Sequence, residues 1–161
     1  MRVLLLHEMS GVHSHLRAGL RSLGVEADLA TFGDLTRRFP SDVYLGPTAP
    51  TVTSGVLRGL RQLQLAPRIL GYDVVQTIST APFNPLAART LLWLLRHSRT
   101  QLVFLGAGSD AIYRRHARSL PYWPPHDWFI NEKRYAVEHA LVSQTAGIVA
   151  MGWDYVYTLR A

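Results

Sequence analysis

The chain has no cysteine and only one lysine, Lys133. Without cysteine there is neither a disulfide framework nor a thiolate metal site. Long hydrophobic runs are missing too, since no apolar stretch approaches the ~18–20 residues of a membrane span. The opening RVLLL is too short for the apolar region of a signal peptide, and His7 and Glu8 follow it at once. There is no HExxH motif and no carboxylate-rich loop, and His13 and His15 at i, i+2 direct their rings to different helix faces. No metal site and no cofactor are therefore expected. Internal repeats and low-complexity tracts are also lacking. These absences leave a soluble, cytoplasmic protein as the expectation.

What is present fits one folded domain. In 161 residues, 48% are hydrophobic and 17% charged, enough to bury a sizeable core. Lys and Arg number 17 against 11 Asp and Glu, a net charge of +6 carried almost wholly by arginine. Arginine suits planar, bidentate contact with phosphate or carboxylate. A GC-rich genome would explain the ratio of Arg to Lys equally well, but not the positive sum.

The first thirty residues read as one β-loop-α-β unit. An apolar run, Val3 to Leu6, meets a polar turn containing Gly11. A helical pattern follows (Leu16, Leu20, Leu23), stops at Gly24, and gives way to an alternating run from Val25. A strand feeding a helix through a short glycine loop sets ligands at a helix N-terminus, so function is sought at the carboxyl ends of strands. The segment Gly33 to Gly55, broken by Pro40, Pro47 and Pro50, is irregular. Ser54 then caps a helix through Gln64, with Val56, Leu57, Leu60 and Leu63 at helical spacing. Tyr72 to Ser79 is a β run, and Asn84 caps a helix through Ser98 with Pro85 at its first position. Gln101 to Gly106 is a strand, ending in a GAGSD turn that opens a basic helix. Pro121 to Ile130 is an aromatic, proline-rich loop. A helix over Asn131 to Thr145, a strand over Gly147 to Met151 and a last helix from Trp153 complete the order. Strands alternating with helices predict a Rossmann-like α/β fold, three layers with a parallel sheet.

In their order, these segments resemble the N-terminal domain of GT-B glycosyltransferases, most closely the retaining group labelled family 4. The resemblance rests on the strand-Gly-loop-helix start, on LGVEADLATF where such enzymes have "LGHEV", on YDVVQTIS before a helix, on a strand ending in GSD, and on AGIVAMGWDYVYTL. It covers essentially the whole chain. It implies the acceptor-side half of a two-domain enzyme whose cleft joins a nucleotide-sugar to an acceptor hydroxyl. The chain ends where the family crosses into its donor-binding domain. The expectation is therefore a domain inactive alone, whether excised or naturally short. Relatives often carry histidine where this sequence has Ala107, so no role of that histidine is carried over.

Four groups of residues are candidates for contact with ligand. In the first loop, Glu8 to His13, these are Ser10, Gly11 and His13; the resemblance places the loop against acceptor or donor phosphates, while a tight turn alone would also require Gly11. The second group is Gly108, Ser109 and Asp110. Gly106 to Ala111 is formally G-x-G-x-x-A, a dinucleotide fingerprint in a poor context, because no strand bearing an acidic residue follows at the required distance. In the glycosyltransferase reading Ser109 and Asp110 bond sugar hydroxyls; as an N-cap, Asp110 would be structural. Thr77, Ser79 and Thr80 form the third group, facing an acceptor or making an ST-turn. Arginines form the fourth: Arg37, Arg38, Arg58, Arg61 and Arg68, and after the GSD turn Arg114, Arg115 and Arg118. They make either a solvated face or a patch for anionic lipid or a phosphorylated acceptor. Trp93, Trp123, Trp128 and Trp153 read as core or lid packing, with Trp123 and Trp128 the two that a sugar could stack on.

The expected partners are thus a nucleotide-sugar and a sugar or lipid acceptor, with peripheral contact at an anionic membrane and no nucleic acid. A stand-alone module holding a nucleotide or anionic glycan without catalysis is the alternative.

Overall fold

Side chains alternate across a strand, and the first strand shows what that alternation builds. Leu4 and Leu6 enter a core on one face of the sheet, while Val3 and Leu5 enter a second core on the other. All four are buried, as a strand covered on both sides requires. The computed structural model describes residues 1–32, 40–106, 115 and 132–150, with only the backbone at Arg134.

Six strands form one parallel sheet: β1 (Arg2–Leu6), β2 (Glu26–Thr31), β3 (Val43–Tyr44), β4 (Val74–Thr77), β5 (Gln101–Gly106) and β6 (Gly147–Ala150). Their spatial order is β3-β2-β1-β4-β5-β6. Helix α1 (Val12–Ser22) packs Leu16 and Leu20 on the face carrying Val3, Leu5, Ala27 and Leu29. The opposite face carries α2 (Val52–Gln64), α3 (Ala66–Ile69), α4 (Pro85–Arg96) and α5 (Glu132–Val142), which bring Leu63, Ile69, Leu91, Leu95 and Leu141 to the larger core. The fold is α/β, three-layered and Rossmann-like. Strand order runs outward both ways from β1 and β4, so their carboxyl ends define the crevice where such sheets hold ligands.

Several local expectations are corrected. The cap of α2 is Thr51, whose hydroxyl accepts from the N–H of Ser54; the helix thus starts earlier than a Ser54 cap would allow. The irregular segment Gly33 to Gly55 contains a short strand that was not foreseen, β3, held by pairing of Ala30 with Val43 and Thr31 with Tyr44. A further turn of helix, α3, carries Pro67 in its first turn and follows α2 directly. The central strand is shorter than Tyr72 to Ser79, and α5 lies within Asn131 to Thr145. Asn84 caps α4 as expected, its side chain accepting from the N–H of Leu86. The expected helices after the GSD turn and from Trp153, and the loop Pro121 to Ile130, lie outside the described residues.

Gly59 sets the spacing of the two long helices on the larger face. A Cβ there would stand 2.8 Å from Leu86 Cβ, so α2 and α4 touch backbone to side chain at this point. Beside it, Gln62 is buried and its Oε1 accepts from the N–H of Asn84 at 2.7 Å.

Candidate functional site

Two loops meet at the switch point. The first leaves β1 at Leu6, the second leaves β4 at Thr77, and these two residues are register partners. The loops are tied to each other directly, since His7 Nε2 bonds the carbonyl of Pro82 at 2.8 Å. The N–H of His7 meanwhile donates to Ala30 of β2.

The β1–α1 loop holds an unusual backbone. His7, Ser10 and Gly11 all have positive φ, at 68°, 54° and 88°. A left-handed conformation costs little at glycine, but about 1–3 kcal/mol at a residue such as His or Ser. Such a concentration at a strand's carboxyl end is what over-determined ligand loops show.

The α1 N-terminus lies just beyond, and its donors are engaged. Glu8 folds back onto the helix: Oε1 accepts from the N–H of His13, and Oε2 from both the N–H and the hydroxyl of Ser14. Burial alone would raise the Glu8 carboxyl, but the Ser14 hydroxyl and the surrounding N–H groups outweigh it and hold it below the usual range. Here the protein supplies its own anion where a phosphate would rest.

His13 is wholly buried. Its Nδ1 donates to the carbonyl of His7 at 2.8 Å, and its Nε2 lies 3.4 Å from the Gln76 amide nitrogen of β4. These partners assign the proton to Nδ1. Burial lowers the affinity of His13 for a second proton; the carbonyl of His7 and the charge of Glu8 offset this only in part. His7 is lowered as well, by burial first, against the carbonyl of Pro82. Two neutral imidazoles therefore brace the loop from within.

In the second loop, Thr77 is buried and closes an ST-turn, with its hydroxyl donating to Ser79 O at 2.7 Å and accepting from Ser79 N. The Ser79 hydroxyl accepts from the N–H of Ala81, and Thr80 donates to Glu138 of α5 at 2.9 Å. Glu138 is only 1% exposed. Of the predicted site residues, Ser10 and Gly11 share one rim with Thr77, Ser79 and Thr80. Ser10 is exposed, and Ser79 and Thr80 are partly so. His13 belongs to the framework beneath. Gly108, Ser109 and Asp110 lie outside the described residues. Sequence reasoning placed Glu8 in the first candidate loop without a role and missed His7, Gln76 and Glu138; an acid a few residues before a helix that carries Ser in its first turn was the available signal for the role of Glu8.

Of the basic residues singled out, Arg61 is exposed and makes no ion pair among the described residues, whereas the others described are held by neighbours. Arg58 lies over the Phe32 ring at 5.0 Å and donates to Pro47 O, while Arg68 reaches Asp28 at 3.5 Å. Arg115 pairs with Glu132 at 2.7 Å and covers the ring of Tyr135. Arg37, Arg38, Arg114 and Arg118 fall outside the described residues, as do Trp123, Trp128 and Trp153. Trp93, read as core or lid packing, is 58% exposed and so is not core. Among the described residues no cluster of three His, Asp or Glu side chains stands ready for a metal, and no helix is long and apolar enough to cross a membrane.

Set against known protein families, curated proteins and solved structures, the chain matches none.

Proposed function

We propose that this chain is the acceptor-side domain of a GT-B type glycosyltransferase, holding a sugar or lipid-linked acceptor hydroxyl toward a nucleotide-sugar bound mainly by a second domain. The observation that carries the reading is the crevice between β1 and β4, where two loops rich in small and hydroxylated residues share one rim of a parallel sheet. Ser10, Ser79, Thr80 and the backbone around Gly11 offer the short, hydroxyl-directed contacts that a polyhydroxylated ligand needs. The GSD turn would add Ser109 and Asp110. A cytoplasmic location goes with this reading.

A dinucleotide held at the β1–α1 loop is disfavoured by Glu8; the fingerprint from Gly106 to Ala111 lies, past Gly106, outside the described residues. A pyrophosphate needs the α1 donors that Glu8 already holds, and the loop from His7 to Val12 has a single glycine for close approach. A binding module without catalysis would use the same rim, so amide shifts alone do not separate it from the enzyme.

The experiment is amide chemical-shift mapping of the 161-residue chain with mono- and disaccharide acceptors, with and without nucleotide-sugar, followed by a transfer assay. Shifts confined to Ser10, Gly11, Ser79, Thr80 and the GSD turn, without turnover, are expected. Shifts elsewhere only, or none at millimolar sugar, would remove the crevice as an acceptor site. Transfer by the isolated chain would overturn its assignment as half an enzyme.

A further inference from the structure

The outer surface formed by α2 and α4 is used by nothing described so far. On α2, Val52, Val56 and Leu60 recur at i, i+4 and i+8 with exposures of 87%, 47% and 48%, and Leu57 flanks them at 52%. On α4, Leu86 and Trp93 are 55% and 58% exposed. Leu86 packs against Gly59 of α2, so the two exposed stripes lie side by side. Single exposed leucines are ordinary, but a contiguous stripe across two helices marks a contact surface.

Among the described residues, the charge on this surface is of one sign. Between Val43 and Ser109 the only acidic residue is Asp73, at the opposite end of β4 beside Arg2 and the amino terminus. Helices α2, α3 and α4 carry no carboxylate at all. Arg61, Arg89 and Arg96 are exposed, and among the described residues none of them makes an ion pair. On α2, Arg61 lies one position past Leu60, and on α4 Arg89 and Arg96 each stand three residues from Leu86 or Trp93, so the guanidinia border the apolar stripe. A core-facing side, an outward apolar stripe with a tryptophan, and bordering arginines without acids is the pattern of a helix pair that lies in a lipid interface.

We infer that the α2–α4 face docks on an anionic phospholipid bilayer, with Leu57, Leu60 and Trp93 entering the headgroup boundary and Arg61, Arg89 and Arg96 meeting lipid phosphates. At 13 residues, α2 is about 20 Å long, so the contact is in the plane of the surface. The inference stands apart from the sugar-transfer reading, because none of these residues belongs to the crevice.

The test is sedimentation of the 161-residue chain with vesicles of phosphatidylcholine alone or mixed 7:3 with phosphatidylglycerol, at low and high salt. Binding is expected to the mixed vesicles only, and to fall steeply with salt. Each arginine replaced by alanine should weaken it by about fivefold, so Arg61→Ala with Arg89→Ala lowers partitioning by roughly 25-fold. Leu57→Ser with Leu60→Ser should also lower it, and Trp93→Phe should abolish a lipid-dependent emission shift. All these side chains are exposed, so the far-ultraviolet circular dichroism stays that of the parent. Equal binding to both vesicle types, no binding, or binding insensitive to these substitutions overturns the inference. So does a concentration-dependent dimer broken by the same substitutions, which would give the face to a second copy of the chain.

Discussion

Glu8 decides what the first loop can accept. Its carboxylate takes two backbone N–H groups and a hydroxyl at the start of α1, which makes it a cap supplied from outside the helix. Glu8→Ala should therefore cost about 1 kcal/mol, as loss of an N-cap does, measured by urea unfolding at pH 7. The vacated donors would then be open to an added anion. Inorganic phosphate should raise the melting temperature of Glu8→Ala and leave the parent unchanged; an equal response of both proteins would show that Glu8 does not fill the slot. The loop's glycine and its place after a strand were legible in the sequence, because both follow from local pattern. The capping role of Glu8 and the buried, bracing role of His13 were not. Their partners are chosen by three left-handed residues that turn the chain back on itself, and no periodicity reports that.

Helices and strands were legible where one element supplies its own signals. Asn84 and Pro85 start α4, and the apolar run from Gln101 to Gly106 is β5, because capping and burial are written in consecutive residues. Strand β3 escaped notice, since two residues become a strand only through pairing with Ala30 and Thr31. The approach of α2 to α4 was equally silent: Gly55 and Gly59 look alike along the helix, yet only the second meets a neighbour. A Cβ at Gly55 has open space, whereas at Gly59 it would meet Leu86 Cβ and Cδ2 at 2.8 Å and Asn84 Oδ1 at 3.1 Å. Gly55→Ala should then stabilise by up to about 1 kcal/mol through helix propensity. Gly59→Ala gains the same propensity but forces the helices apart, and overpacking of about 1–3 kcal/mol leaves it net destabilising. Urea midpoints for the two variants should move in opposite directions; a shift of the same sign would mean that α2 and α4 do not meet at Gly59.

At the scale of the molecule, the sheet's two halves are joined at β1 and β4, and the groups bracing that junction titrate. His7 bonds the β4–α4 loop and His13 bonds β1's end and Gln76, both as neutral rings. Their proton affinities in the folded state lie below the value of 6.5 expected of an unfolded chain, with burial the leading cause. Below that pH the unfolded chain binds protons that the fold refuses, so stability is complete above about 6.5 and drains as pH falls toward the lowered folded values. Each histidine contributes at most one proton, so the loss is at most about 1.4 kcal/mol per pH unit per ring. Glu8 acts further down: its carboxyl is lowered from 4.5, so its stabilisation is held above that pH and given up below it. Urea unfolding at pH 7 and pH 5.5 should show the parent weakening on acidification, and His13→Gln, less stable at pH 7 for want of its bond to His7, should weaken less steeply between the two. If parent and variant lose the same stability over that interval, the ring of His13 is not held neutral at the junction, and the rigid floor assigned to the crevice is wrong.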